Sequence, residues 1–90
     1  MIKKREKLEV VRDILKIIQD NHNSIKPTPL LRRSNLSSKR FSIYLRELLD
    51  KELVKEMKDK NGKHISLTIK GFRYLEKYKN IVNFIEEFEL

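Results

Sequence analysis

Residues 35–71 read NLSSKRFSIYLRELLDKELVKEMKDKNGKHISLTIKG, and the spacing of apolar residues changes character several times along them. Ser37 and Ser38 stand before a run of helix formers in which Phe41, Leu45 and Leu48 fall at helical spacing, which predicts a helix capped by one of these serines and running to about Lys51. Leu53 to Lys58 and His64 to Leu67 then read as strands. Between them, DKNGK (Asp59–Lys63) contains Asn61-Gly62, the strongest short signal for a hairpin. Thr68 is placed to cap a last helix reaching about Phe88, which at about 20 residues would be roughly 30 Å long.

Working outward, a first helix is expected from about Lys4 to Asp20. Leu8, Val11, Leu15 and Ile18 form one stripe on it, and Val10, Ile14 and Ile17 form a second beside the first. Two stripes imply two buried surfaces. The stretch NHNSIKPTP ends that helix, since Pro27 and Pro29 are incompatible with a helix interior. Thr28 before Pro29 resembles an N-cap with proline at the first helical position, so a short helix is expected near Pro29 to Ser34. The order helix, helix, helix, strand, turn, strand, helix is that of a winged helix-turn-helix, an α+β and mostly α fold. Residues 1–67 would form the winged body and residues 68–90 a long C-terminal helix packed on it.

Lys and Arg total 21 against 13 acids in 90 residues, a formal charge of +8. Such a balance implies an anionic partner. The distribution is sharper than the total: from Asn21 to Arg46 stand Lys26, Arg32, Arg33, Lys39, Arg40 and Arg46 and no acid, whereas Glu86, Glu87 and Glu89 close the chain without a base. Cysteine is absent, which removes disulfides, thiolate metal sites and cysteine nucleophiles and favours an intracellular, cytoplasmic setting. No apolar run approaches the roughly 20 residues of a membrane span, and the basic amino terminus (Lys3, Lys4, Arg5, Lys7) has too few cations and no amphipathic anchor to hold a membrane surface. His22 and His64 lie far apart without a spaced ligand set, there is no glycine-rich phosphate loop, and the tyrosines fall on core or seam faces. Neither an active site nor a metal, cofactor or small-molecule effector is indicated.

Rotating 100° per residue about the third helix separates its faces. Phe41, Tyr44, Leu45, Leu48 and Leu49 share the buried side. Lys39, Ile43 and Arg46 lie about 140° to 200° from Phe41, with Arg40 and Ser42 on the flanks. For a helix seated in the major groove this set has a mechanism: Arg or Lys donates to guanine O6 and N7, serine donates or accepts, and an apolar side chain rests on a thymine methyl. Otherwise Ile43 is a lone surface apolar residue, which is common. Ser37 and Ser38 open the same helix, Arg32 and Arg33 sit where the preceding helix would cross the phosphate backbone, and Lys60, Asn61 and Lys63 mark the wing tip. On the last helix, Tyr74, Tyr78, Ile81, Ile85 and Phe88 follow a heptad, and Val82 widens it. That is more apolar circumference than one small domain covers, so a homodimer is expected there.

The segments LSSKRFSIYLRELLDKELV and ISLTIKGFRYLEKYKNIVNFIEEF resemble the archaeal winged-helix regulators and the related small archaeal chromatin proteins. Leu36, Ser37, Tyr44, Leu45, Leu48, Leu49, Leu67, Thr68, Lys70 and Gly71 match that pattern in order, over about residues 8 to 88. The resemblance implies double-stranded DNA binding and dimers paired through the last helix as an antiparallel coiled coil. One position departs: where the family has glycine before the first strand, this chain has Glu52.

The sequence therefore points to a DNA-binding transcription regulator acting as a homodimer, its recognition helix about Ser38–Lys51 in the major groove and its wing on the backbone or minor groove. Two alternatives stand beside it. One is a chromatin-type DNA-binding protein with little sequence preference, and the other is a protein-interaction winged helix that does not bind DNA.

Overall fold

A computed structural model describes the backbone of residues 2–90 and the side chains of residues 6–90. Its elements are α1 (Ile2–Asp20), α2 (Pro27–Ser34), α3 (Ser38–Asp50), β1 (Val54–Asp59), β2 (Gly62–Leu67) and α4 (Ile69–Glu87). The basic cluster Lys3, Lys4 and Arg5 falls outside the described side chains.

Both stripes of α1 face inward: Val11, Ile14, Leu15 and Ile18 are buried, Val10 and Ile17 pack against the core, and Leu8 is left 43% exposed. They meet Leu30 of α2, Phe41 and Leu48 of α3, and Val54, Ile65 and Leu67 of the hairpin in one hydrophobic cluster.

The α2 start differs from the expected one. The helix begins at Pro27, with Lys26 in extended conformation at the N-cap and no side-chain cap, so Thr28 lies inside it. The reason is that Pro27 and Pro29 carry no N–H, leaving the first turn few orphan donors for a cap to satisfy. The α3 start is as expected: Ser37 is the N-cap, and its side chain accepts from the Arg40 N–H at 3.2 Å.

At the other end of α3, the Leu53 N–H donates to Leu48 O at 2.9 Å and the Glu52 N–H to Leu49 O at 3.1 Å. This reciprocal pair is the Schellman closure, which requires a left-handed residue and favours glycine. Glu52 fills that position at φ 60. Glu52→Gly should therefore raise stability by about 0.5–1 kcal/mol, the strain relieved exceeding the added chain entropy; a urea melt with unchanged m-value checks it, and a lower midpoint would refute it.

β1 and β2 pair antiparallel from Val54↔Leu67 to Asp59↔Gly62. Asn61-Gly62 does not form a mirror-image two-residue turn, which needs positive φ at both central residues. Lys60 and Asn61 are the turn, only Gly62 has positive φ (109), and the Asp59 carboxylate accepts from the Asn61 N–H at 2.8 Å. Glycine serves as the residue after the turn, where a type I turn needs it to realign with the strand. A feature with no periodicity of its own completes the sheet: Ile25 exchanges two backbone hydrogen bonds with Ile65, at 3.1 and 2.8 Å, and Asn23 Oδ1 accepts from the Leu67 N–H at 2.8 Å.

Thr68 joins the hairpin to α4. Its hydroxyl accepts from the Gly71 N–H at 3.1 Å and donates to Glu52 O at 2.6 Å, while its own N–H donates to Leu53 O at 3.2 Å. Gly71 packs so tightly that an added Cβ would overlap the Leu53 carbonyl oxygen. From there α4 runs past the body of the molecule, which measures 49 × 26 × 21 Å.

Candidate nucleic-acid interface

On α3, Phe41 and Leu48 are buried and Tyr44, Leu45 and Leu49 pack against the core. Ser38, Lys39, Ser42, Ile43 and Arg46 are exposed, Ile43 by 60%. The helical rotation thus placed both faces correctly, because the core holds α3 through Phe41 and Leu48, two turns apart. Lys39 and Arg46 have no ionic partner among the described residues.

The flanks are less open. Arg40 pairs with Glu6 of α1 at 3.1 Å, with its guanidinium 6.0 Å from the Tyr44 ring centre. Lys7 of α1 pairs with Glu47 at 2.6 Å, and Lys51 reaches the same oxygen at 3.0 Å. Tyr44 first and Glu6 second hold the Arg40 pKa above its ordinary value. Lys7 and Lys51, hydrogen-bonded to Glu47, keep its carboxyl below the usual carboxylate range. The sequence had no signal for this arrangement, since it depends on how α1 crosses α3. Ser37 spends its oxygen as the α3 cap, as described above.

On α2, Arg32 and Arg33 occupy the last turn, where their charge also suits the helix C-terminus. Arg33 donates to Asn21 Oδ1 at 3.2 Å, whereas Arg32 extends outward. At the wing, Lys60 and Asn61 are exposed and Lys63 lies 3.6 Å from Glu56. The register adds a residue that spacing alone missed: Lys58 stands directly opposite Lys63. Like charges so placed repel each other unless an anion lies between or near them. His64 turns toward Asp59, with Nε2 3.5 Å from the carboxylate.

The expected α4 seam divides in two. Tyr74 donates its hydroxyl to Leu8 O at 2.8 Å, and Tyr78 lies under the Arg12 guanidinium at 5.4 Å, so both spend surface on α1 of the same chain. Burial, then the neighbouring Tyr78, pushes the Tyr74 phenol up to about 12, against a smaller opposing pull from Arg12. Beyond them the apolar surface is open: Ile81 is 50% exposed and Phe88 56%, with Val82 and Ile85 half-buried. Phe84, also exposed, sets its ring 4.9 Å from that of Phe88 at a tilt of 45°. A groove of about 810 Å³ runs between α1 and α4, floored by Phe72, Leu75 and Val82. Of the cations that line it, Arg12 and Lys16 of α1 pair with Asp13 and Asp20, each at 3.1 Å, and Arg73 and Lys79 stand on the α4 side.

Among the described residues no group of three could hold a metal ion, and no helix is long and apolar enough to cross a membrane.

No curated protein sequence matches the chain. Solved structures do. F93 from STIV, described as a winged-helix DNA-binding protein, is 19% identical over 91% of this chain and 89% of its own, with a TM-score of 0.71. Sso10a-2, described as a DNA-binding protein from Sulfolobus solfataricus, is 16% identical over 91% and 83%, with a TM-score of 0.72. A MepR-like protein is 24% identical over 87% of this chain and 60% of its own, with a TM-score of 0.66. At these identities the likeness is one of fold. The family model for the winged helix-turn-helix matches residues 4–86, nearly the whole of the arrangement described above, and the chain belongs to that family.

Proposed function

We propose that the protein binds double-stranded DNA as a homodimeric transcription regulator, with α3 in the major groove and the wing on the adjacent backbone or minor groove. The observation that carries this reading is the outward face of α3, where Lys39, Ser42, Ile43 and Arg46 are exposed within a stretch, residues 21–46, that has no acid. Two of the similar structures are described as DNA-binding proteins, which supports it. Arg32, Lys58, Lys60 and Lys63 supply sequence-independent affinity for phosphate, and Ser42, Ile43 and Arg46 supply discrimination.

Pairing through α4 is supported by the open Ile81, Ile85 and Phe88 surface and by charge. The first half of α4 carries Lys70, Arg73, Lys77 and Lys79 against Glu76, and the chain end carries Glu86, Glu87 and Glu89. Antiparallel helices set the basic half of one against the acidic end of the other; parallel helices would set like against like.

A salt series on duplex DNA tests the reading. With Arg32, Lys58, Lys60 and Lys63 on phosphate, log K should fall against log salt with a slope of roughly −3.6 per protomer; absence of binding at about 50 mM salt would sink it. Specific reading makes a finer demand. Ile43→Ala should weaken a selected site by about 1 kcal/mol more than random duplex, whereas Arg32→Ala should weaken both alike. Equal losses for Ile43→Ala on both duplexes would favour binding without sequence preference.

A further inference from the structure

Beside the shared core, the α1 helix meets the proposed reading helix through ion pairs, and in one of them it presents a carboxylate. Two adjacent α1 residues grip one flank of α3 two turns apart: Glu6 on Arg40 at 3.1 Å and Lys7 on Glu47 at 2.6 Å. The Lys7 contact ties the start of α1 to α3 beside the Glu6–Arg40 pair. Tyr44 lies between the two anchors on the same flank, and the Arg40 guanidinium sits near its ring.

We infer that Glu6 limits the affinity of the DNA-binding surface for duplex of any sequence, withholding Arg40 from the phosphate backbone by presenting a carboxylate where a phosphate oxygen would otherwise bind it. The inference rests on the DNA-binding reading above. Its physical basis is a matter of which contacts inform. A phosphate contact from Arg40 would strengthen binding to every duplex equally, adding affinity for unselected DNA while adding nothing to the discrimination by Ser42, Ile43 and Arg46. An arginine fork takes a carboxylate and a phosphate in the same bidentate manner, so the two compete for one group. Among the described residues Arg40 is the cation of α3 that pairs with an acid of α1, in a chain whose net charge is strongly positive.

The measurement is affinity for a selected duplex and for random duplex, each across a salt series, for the full-length chain. Glu6→Gln keeps the size of the side chain, and the native one is exposed, so the fold is preserved. On random duplex it should tighten binding roughly two- to fivefold, the range of an exposed ion pair. The salt slope should steepen by about 0.9 per protomer as one more phosphate contact forms. The selected duplex should gain by the same factor, so the ratio of selected to random affinity should stay unchanged. Arg40→Ala in the native background should leave the random-duplex slope unchanged, and combined with Glu6→Gln it should cancel the gain. Asp13→Asn, an equal change of net charge elsewhere on α1, should not reproduce the effect. The inference is overturned if Arg40→Ala alone flattens the native slope by about 0.9, since Arg40 would then already hold phosphate, or if Glu6→Gln does no more than Asp13→Asn. A native chain that binds no duplex overturns the DNA-binding reading itself, an outcome distinct from either.

Discussion

Gly71→Ala is expected to lower stability by about 3 kcal/mol, and for a domain of this size the thermal midpoint by on the order of 10–20 °C. Alanine in a helix ordinarily gains up to about 1 kcal/mol over glycine, so the sign of the result is informative. The added methyl overlaps the Leu53 carbonyl oxygen, and that oxygen already accepts the Thr68 N–H. Relieving the clash means moving backbone at the junction of α3, β1 and α4, where the Thr68 cap and the Lys70 ammonium on Lys51 O are also anchored. Gly62→Ala provides the contrast: nothing lies within 4 Å of its added Cβ, so only the positive φ of 109 penalises it, by about 1–2 kcal/mol. Denaturant melts of the two variants should rank in that order, and equal losses would show that the close approach at Gly71 is not what matters.

Ile81→Glu is expected to convert the proposed dimer to a monomer and to weaken binding to a two-half-site duplex by about 10²–10⁴-fold. Linking two modest binders through one interface multiplies their affinity by an effective concentration, and separating them removes that factor without touching a DNA contact. Ile81 suits the test because it is half exposed in the single chain, so a charge there costs the monomer little. Sedimentation should show the change of mass while helical content is retained. A native chain that sediments as a monomer, or a variant that stays dimeric, would remove α4 pairing from the proposal.

Much of this molecule could be read before its structure was known, and the reasons are local. Ser37 and Thr68 act as caps because a hydroxyl followed by a helical run leaves little else for them to do. The two faces of α3 follow from rotation alone. Spacing is silent where two segments distant in the chain meet. Thr28 is a local exception: Pro27 itself opens α2, and with Pro29 it leaves almost nothing for a cap to satisfy. Arg40 faces outward as rotation puts it, but its partner Glu6 lies on α1, and the placement of Lys58 opposite Lys63 exists only in the register. Tyr74 and Tyr78 joined the heptad by spacing, yet α1 claims part of both. The Ile25 bridge left no pattern, a single residue having no periodicity.

That bridge has a mechanical consequence. It fixes the hairpin near its base, with the Asn23 amide oxygen holding Leu67 one step further back. From Ile65 outward the two strands have only each other, and residues 55–63 of the hairpin are exposed or half-exposed. The wing is therefore a cantilever: clamped at the core, increasingly compliant toward Lys60 and Asn61. Its tip can follow the contour of a surface it lies against while the base keeps α2 and α3 in position.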